Sequence, residues 1–199
     1  MADSQTRERR GTVFGGSGFI GRHVVRALIR DGWRVKIACR RPELAVHLQS
    51  GGKPGQIELI RADLRDAQTI AAALEDADAA VNLVGILTES GDQTFADIQS
   101  RGARAVAKAV KEAGMTRFVH ISAIGACKNS PSGYARGKAE GEAAVHELVP
   151  QAIIFRPSIV FGPEDDFFNR FAAMARIMPI LPLVGASTRF QPVKGAILA

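Results

Sequence analysis

Residues that mark several classes of protein are scarce in this chain. Its 199 residues include only two cysteines, Cys39 and Cys127, which provide neither a disulfide framework nor the spacing of a metal site. Such cysteine usage is typical of a reducing compartment, and we expect a cytoplasmic location. No apolar run approaches the roughly 18 residues of a membrane span. The polar first ten residues, MADSQTRERR, lack the apolar stretch of a secretory signal.

Aromatic residues are also few, at 6% of the chain, and the net charge of +6 comes without a long run of basic residues. Nucleic-acid binding therefore has little support. Residues 1–10 contain Arg7, Arg9 and Arg10, and we predict a flexible basic tail there. The basic excess is compatible with a face that rests on an anionic membrane surface or on a partner protein.

Metal ligands and an activated thiol are not indicated either. The four histidines have no metal-like spacing, and we predict no metal site. An acidic cluster at residues 164–166 is interpreted as the first turn of a helix, where the helix dipole stabilises carboxylates. Neither cysteine has an adjacent base in the sequence, so no cysteine nucleophile is predicted.

Apolar periodicity predicts six strands that alternate with five helices. The strands are predicted at residues 12–15, 34–39, 57–61, 79–85, 117–122 and 152–160, and the helices at residues 18–30, 66–74, 95–113, 134–148 and 167–178. This order predicts an α/β domain over residues 11–199. Its fold would be a doubly wound parallel sheet of Rossmann type, with about seven strands when a last one near the C-terminus is included.

Four glycines fall within seven positions between the first predicted strand and helix: Gly15, Gly16, Gly18 and Gly21. They satisfy both G-x-x-G-x-x-G and G-x-G-x-x-G. A glycine-rich turn of an unrelated α/β protein is the alternative, but the flanking strand and helix favour a pyrophosphate cradle at the helix N-terminus. The predicted cofactor contacts of this turn are Gly15, Gly16, Ser17, Gly18, Phe19, Ile20 and Gly21.

The end of the second predicted strand indicates which dinucleotide is bound. An Asp or Glu that accepts from the ribose hydroxyls is usual there, whereas this chain has Arg40 and Arg41. Because arginine suits a 2′-phosphate, NADP(H) is favoured and NAD(H) is the alternative; the two arginines are otherwise solvated loop residues. Asp63 and Leu64, after the third strand, are predicted to meet the adenine. Four residues at the end of the fourth strand, Asn82, Leu83, Val84 and Gly85, are predicted to line the cofactor.

Several motifs together resemble the short-chain dehydrogenase/reductase superfamily, in its extended or atypical branch. They are GGSGFIG, ADL at residues 62–64, Tyr134-x-x-x-Lys138 and RPSIVFGP at residues 156–163. The segment PQAIIFRPSIVFGPEDDFFNRFAAMARIMP is more specific, and it is similar to the nucleotide-binding accessory subunits of respiratory complex I (NADH:ubiquinone oxidoreductase) and their bacterial relatives. The resemblance implies a tightly held, largely structural NADPH and peripheral attachment to the membrane arm, on the inner face of the cytoplasmic membrane. It adds Pro157 and Ile159 as cofactor contacts.

The chain departs from that family at its end. Family members continue from QPV into a further strand and a C-terminal subdomain that closes the substrate cleft, whereas here KGAILA follows QPV. We therefore expect an incomplete substrate cleft, through a truncated C-terminal subdomain or an early natural end.

Tyr134 and Lys138 are four residues apart, so both side chains lie on one face of the predicted helix. The resemblance implies that the tyrosine exchanges a proton with a carbonyl or alcohol and that the lysine lowers its pKa and holds the nicotinamide ribose. Ser122 would hydrogen-bond the reacting oxygen or, alternatively, cap its strand. Three outcomes stay open: a structural cofactor, a redox-sensing regulator without turnover, and a reductase or epimerase/dehydratase acting on a small carbonyl or sugar nucleotide.

Overall fold

A computed structural model of the chain describes residues 7–165, 167–178, 189 and 191–198. Its strands are β1 (Arg10–Phe14), β2 (Arg34–Cys39), β3 (Ile57–Arg61), β4 (Ala79–Asn82), β5 (Phe118–Ile121), β6 (Ile153–Phe155), β7 (Val160–Phe161) and β8 (Val193–Lys194). Its α-helices are α1 (Phe19–Arg30), α2 (Ala67–Leu74), α3 (Gly102–Glu112), α4 (Gly133–Leu148), α5 (Phe167–Ala175) and α6 (Gly195–Leu198). Two 3₁₀ turns, Pro42–Leu44 and Val46–Gly51, follow β2, and a π-helical turn, Ala96–Arg101, precedes α3.

The first six strands form one parallel sheet in the order β3-β2-β1-β4-β5-β6. The chain builds outward from β1 to β3, crosses back, and continues from β4 to β6, so the order reverses between β1 and β4. In sheets of this type the ligand lies beyond the carboxyl ends of the strands at that reversal. The predicted α/β fold, a doubly wound parallel sheet of Rossmann type, is confirmed, with six strands rather than about seven.

The sixth predicted strand, residues 152–160, is divided in the structure. Only Ile153–Phe155 pair with β5, while Val160–Phe161 pair with β8 in a separate two-stranded ribbon. Pro157 lies between the two pieces and has no N–H to donate to a ladder, which is why the segment leaves the main sheet. This ribbon accounts for the difference in strand number.

The long helix predicted at residues 95–113 begins differently. Its first part is the π-helical turn Ala96–Arg101, and regular α-helix starts only at Gly102. The turn packs closely on α4, since a Cβ added at Gly141 would lie 2.3 Å from the carbonyl oxygen of Gln99. The positive φ of 66° at Gly114 ends the helical segment, as predicted from that glycine.

Local signals explain where the other helices begin. The Asp66 carboxylate accepts from the backbone N–H groups of Gln68 and Thr69, at 3.0 and 3.4 Å, which caps α2. The hydroxyl of Ser132 caps α4 by accepting from the N–H of Ala135. Helix α5 ends at Ala175, three residues before the predicted end at 178.

Two hydrophobic cores cover the two faces of the sheet. On one face, α2, α3 and α4 contribute buried side chains such as Ile70, Val106 and Val145. On the other, α1 packs Val25 over β1 and β2, where Val13 and Ile37 are buried. The carboxyl ends of β1 to β4 are thereby held at one edge of a rigid sheet.

The predicted basic tail meets the sheet at its last residue, because β1 begins at Arg10. Arg10 pairs with Asp76 at 3.1 Å, and Arg7 pairs with Asp78 at 3.4 Å. The first six residues of that tail and most of the segment between α5 and β8 lie outside the described residues. In the described part of the chain, no helix has the length and apolar character needed to cross a membrane.

Candidate cofactor-binding site

The glycine-rich turn links β1 to α1 in a conformation that side chains would obstruct. Gly15 has a φ of 77°, and a Cβ there would approach Val84 to 3.2 Å. A Cβ at Gly21 would lie 2.2 Å from the carbonyl oxygen of Gly15 and 2.6 Å from the Cα of Gly16. Because these are backbone atoms, only glycine at position 21 lets α1 pack this closely on the turn.

The N-terminus of α1 faces the end of β1. Its N-cap, Gly18, provides no side-chain cap, so the first backbone N–H groups of the helix depend on another acceptor. Phe19, Ile20 and Gly21 form this first turn, and no acidic side chain lies in it. Free N–H groups and the positive end of the helix dipole make this point suitable for a phosphate.

A cleft of about 380 Å³ opens between this turn and the ends of β2, β3 and β4. It falls within the usual size range of ligand pockets, about 300–1,000 Å³. Of the predicted contacts, the cleft is lined by Gly15, Ser17, Gly18, Arg40, Arg41, Asp63, Leu64, Leu83, Val84 and Gly85. The other predicted site residues lie outside its lining: Gly16, Phe19, Ile20, Gly21, Asn82, Ser122, Tyr134, Lys138, Pro157 and Ile159.

One end of the cleft is strongly basic. Arg40 and Arg41 are both exposed there, and neither forms an ion pair with another described residue. The Asp63 carboxylate, which also lines the cleft, accepts two hydrogen bonds from the Arg65 guanidinium, at 3.0 and 2.6 Å. This hydrogen-bonded guanidinium lowers the pKa of Asp63 to about 2, and the charge of Arg40 adds to the effect. The two strand-end arginines therefore keep their charge available.

Sequence patterns missed part of the lining. The additional residues are Phe14, Ala38, Cys39, Leu44, Ala45, His47, Ala62, Ile86, Gln93 and Ile98. Those on β1 and β2 or directly after β3 could have been found from the strand ends alone. Leu44 and His47 come from the 3₁₀ turns, and Ile98 comes from the π-helical turn, so no local signal marks them. Burial raises the pKa of the Cys39 thiol, which favours its neutral form.

Tyr134 and Lys138 lie on the first two turns of α4. Lys138 is 5% exposed, donates to the carbonyl oxygen of Ile121 at 3.2 Å, and reaches the segment after β4, because a Cβ at Gly85 would lie 3.1 Å from its Nζ. Burial lowers the pKa of Lys138 to about 8. Tyr134 is half-buried against the Phe95 ring, edge to face at 5.8 Å, and burial raises its pKa. The lysine thus connects α4 with the cleft.

Ser122 does not line the cleft. Its backbone N–H donates to Phe155 at 2.8 Å and continues the pairing of β5 with β6. Ser122 is 3% exposed, and its hydroxyl oxygen is buried without a hydrogen-bond partner among the described residues. The hydroxyl nevertheless lies close enough to the Glu142 carboxylate to contribute to lowering the pKa of that group.

The segment after β6 is tied to the core by its backbone. Pro157 accepts from the N–H of Ile124 at 2.9 Å, and Ile159 accepts from the N–H of Val193 at 2.9 Å. The acids that follow have structural partners: Glu164 pairs with Arg22 at 3.1 Å, and Asp165 accepts from the N–H of Phe168 at 2.6 Å. Within the described residues, no cluster of three His, Cys, Asp or Glu side chains could hold a metal.

Comparison with known families assigns this chain to one of them. The profile of a family described as NAD(P)H-binding matches residues 15–148, which include the turn, the ends of β2 to β4 and α4. The chain belongs to the NAD(P)H-binding family. The predicted resemblance to short-chain dehydrogenases/reductases and to complex I accessory subunits is confirmed by the relatives below.

This NAD(P)H-binding protein is 41% identical over 185 residues to the mitochondrial NADH dehydrogenase [ubiquinone] 1 alpha subcomplex subunit 9 of Mus musculus, covering 92% of this chain and 49% of that protein. It is 33% identical over 177 residues to a ceramide reductase of Caulobacter vibrioides, covering 89% of this chain and 54% of that protein. The chain therefore spans about half the length of the curated relatives it matches.

Among solved structures, a dTDP-glucose 4,6-dehydratase (a DesIV double mutant) of Streptomyces venezuelae, with NAD bound, superimposes on the NAD(P)H-binding chain with a TM-score of 0.75. It covers 94% of this chain and 68% of that one at 22% identity. At this identity the comparison concerns the fold alone, and it supports the Rossmann architecture.

Proposed function

We propose that this chain binds NADP(H) in the cleft at the ends of β1 to β4 and holds it as a mainly structural cofactor. We further propose that it acts as a nucleotide-binding accessory protein of a respiratory NADH:ubiquinone oxidoreductase. The relationship to the mouse accessory subunit, at 41% identity over 92% of this chain, is the observation that carries the proposal.

The residues of the cleft fit a dinucleotide. Gly21 and Gly15 leave the turn free of side chains, so the backbone can approach a pyrophosphate at the N-terminus of α1. Gly85 leaves space beside the Lys138 ammonium, where a ribose hydroxyl would find a charged donor. Leu64 provides an apolar contact for the adenine at the other end.

The 2′-phosphate is assigned to the basic end of the cleft. Arg40 is our first choice of ligand and Arg41 the second. Arg40→Ala is expected to weaken NADPH binding roughly 10- to 100-fold, as hydrogen bonds to a charged group contribute about 1.5–3 kcal/mol. NADH binding should not change. Titration of the parent and the variant with both cofactors, followed by fluorescence, measures this preference.

The matched control is Arg30→Ala, which removes the same charge from an exposed position at the end of α1, outside the cleft. Equal affinity of the parent for NADPH and NADH, or a neutral effect of Arg40→Ala, would contradict the 2′-phosphate assignment. A loss of the same size in Arg30→Ala would show that only the overall charge matters.

The accessory role predicts a partner and a location. We propose that the chain associates peripherally with respiratory complex I at the inner face of the cytoplasmic membrane, through protein contacts rather than a membrane span. Membrane fractionation of cells that express the tagged protein should recover it with complex I subunits and with bound NADP(H). Full recovery in the soluble fraction, free of these subunits, would contradict the accessory role.

A reductase is the second candidate, because Tyr134 and Lys138 share one face of α4 and Lys138 reaches Gly85. A relative named a ceramide reductase, at 33% identity, supports the same candidate. A bound nicotinamide would supply hydride, and Tyr134 would exchange the proton at its hydroxyl with a carbonyl oxygen. Carbonyl-dependent oxidation of NADPH by the purified protein, lost in Tyr134→Phe, would favour the reductase. The buried Ser122 hydroxyl weighs against it, since Ser122 does not line the cleft.

A further inference from the structure

A bidentate ion pair with a buried carboxylate lies one turn beyond Lys138 on α4. Glu142 is 7% exposed, and both of its carboxylate oxygens accept from the Arg156 guanidinium, at 2.8 and 2.5 Å. Arg156 directly follows β6 and precedes Pro157, so the pair joins α4 to the segment that carries two predicted cofactor contacts. A bidentate arginine–carboxylate pair of this kind fixes both partners in orientation.

Lys138 has no such partner. Lys138 and Glu142 are four residues apart on α4, yet no carboxylate oxygen of a described residue lies within 4.0 Å of the lysine Nζ. The ammonium instead donates to the Ile121 carbonyl and extends toward Gly85. The carboxylate is near enough to act on the ammonium through its charge, while Arg156 occupies its oxygens.

We propose that Glu142 and Arg156 are positioning residues whose ion pair sets the charge environment of the Lys138 ammonium while leaving that ammonium free to bind the cofactor ribose. The consequence for the cofactor rests on the proposed function above. The charge coupling between Lys138, Glu142 and Arg156 does not rest on that function, and it can be measured in the protein without cofactor.

The groups that face Lys138 explain why Glu142 matters. Glu142 on α4 and His120 on β5 interact with it through charge, Tyr134 lies one turn before it on α4, and Arg156 pairs with Glu142 from the segment after β6. Burial and the charge of Lys138 lower the pKa of His120 to about 4, so this histidine is neutral near pH 7. Burial raises the pKa of Tyr134, which keeps the phenol neutral as well. Glu142 is then the negative charge that opposes the effect of burial on the lysine.

The carboxylate itself is kept ionised by its partners. Burial alone would raise the pKa of Glu142, but the hydrogen bond from Arg156 and the nearby Ser122 hydroxyl outweigh it, and the pKa is lowered. Ser122 therefore has a role that does not involve a substrate. It directly follows β5, and its otherwise unpartnered hydroxyl supports the Glu142 carboxylate.

The decisive measurement is the pKa of Lys138 in Glu142→Gln. An opposite charge about 4–6 Å away shifts a pKa by about 1–3 units, so its removal should lower the pKa of Lys138 by about one unit. If the pair were only a brace, its loss would loosen the segment after β6, admit water to the lysine and raise the same pKa. The direction of the shift separates the two roles. Protein labelled with ¹³C at lysine Cε is titrated by NMR, and Lys138→Arg assigns the signal.

Two substitutions of Arg156 test the same point at a half-exposed position. Arg156→Gln removes the positive charge and should raise the pKa of Lys138, because the carboxylate is no longer neutralised. Arg156→Lys keeps the charge but not the bidentate geometry, and the pKa should stay near that of the parent. A rise of equal size in both variants would overturn the proposal, even if Glu142→Gln did not fold.

The effect on cofactor binding is measured in a separate experiment. In Glu142→Gln, the pH at which NADPH affinity falls to half should decrease by about one unit, in step with the lysine. A shift of the lysine pKa without any NADPH binding by the parent would support the charge coupling and contradict the proposed function. No shift of the lysine pKa, with NADPH bound normally, would overturn the positioning role alone.

Discussion

A single methyl group at position 21 is expected to abolish NADPH binding. In Gly21→Ala the new Cβ would lie 2.2 Å from the carbonyl oxygen of Gly15 and 2.6 Å from the Cα of Gly16. Neither backbone atom can rotate away, so α1 must move off the turn and carry its N–H groups out of line with the pyrophosphate. We expect affinity for NADPH to fall by at least ~100-fold and stability to fall by about 3 kcal/mol, at the upper end of overpacking effects.

Titration with NADPH and urea denaturation of the apo-protein measure the two effects. The control is Gly51→Ala: its φ is not in the left-handed region and no other group lies within 4 Å of the added Cβ. We expect that variant to bind NADPH normally and to change stability by less than about 1 kcal/mol. Normal NADPH affinity in Gly21→Ala would mean that the glycine turn does not hold the pyrophosphate.

Much of the fold could be predicted because it is encoded locally. The bounds predicted for β2 and β3 match the structure, since apolar periodicity and flanking polar turns mark both strands. The π-helical turn Ala96–Arg101 could not be predicted in this way. It packs against α4 where Gln99 meets Gly141, a residue far away in the sequence. Nothing within the turn itself distinguishes it from the α-helix that follows.

The candidate site could also be predicted only in part. Arg40, Asp63 and Val84 were found because a parallel sheet brings the carboxyl ends of its strands to one edge, and they line the cleft. The pairing of Glu142 with Arg156 was missed, although both residues lie in recognisable motifs. Their contact depends on how α4 packs against the end of β6, which spacing alone does not determine.

Replacement of Lys138 is expected to stabilise the apo-protein while it weakens cofactor binding. Burial lowers the pKa of Lys138 from its ordinary value of 10.5 to about 8, so the charged lysine costs about 3 kcal/mol near pH 7. Lys138→Met removes that cost but leaves the Ile121 carbonyl without its donor, a loss of about 1 kcal/mol. We expect a net gain in stability of about 2 kcal/mol at pH 7, with NADPH affinity reduced roughly 10-fold or more because a charged donor to the ribose is lost.

The lowered pKa of Lys138 also predicts how the stability of the parent changes with pH. Between about pH 8 and 10.5 the unfolded chain binds a proton at Lys138 that the folded chain has released, so the stability of the parent rises across this window. In Lys138→Met that rise should be absent, so the two stability curves should cross within this window, and near pH 10.5 the parent should be the more stable by about the 1 kcal/mol of its bond to Ile121. Urea denaturation at a series of pH values measures the difference, and Lys108→Met, at an exposed lysine of α3, is the control. A buried lysine that is retained at such a cost is typical of a functional site. If Lys138→Met were less stable than the parent at pH 7 and bound NADPH equally well, the lysine would serve only to satisfy the Ile121 carbonyl.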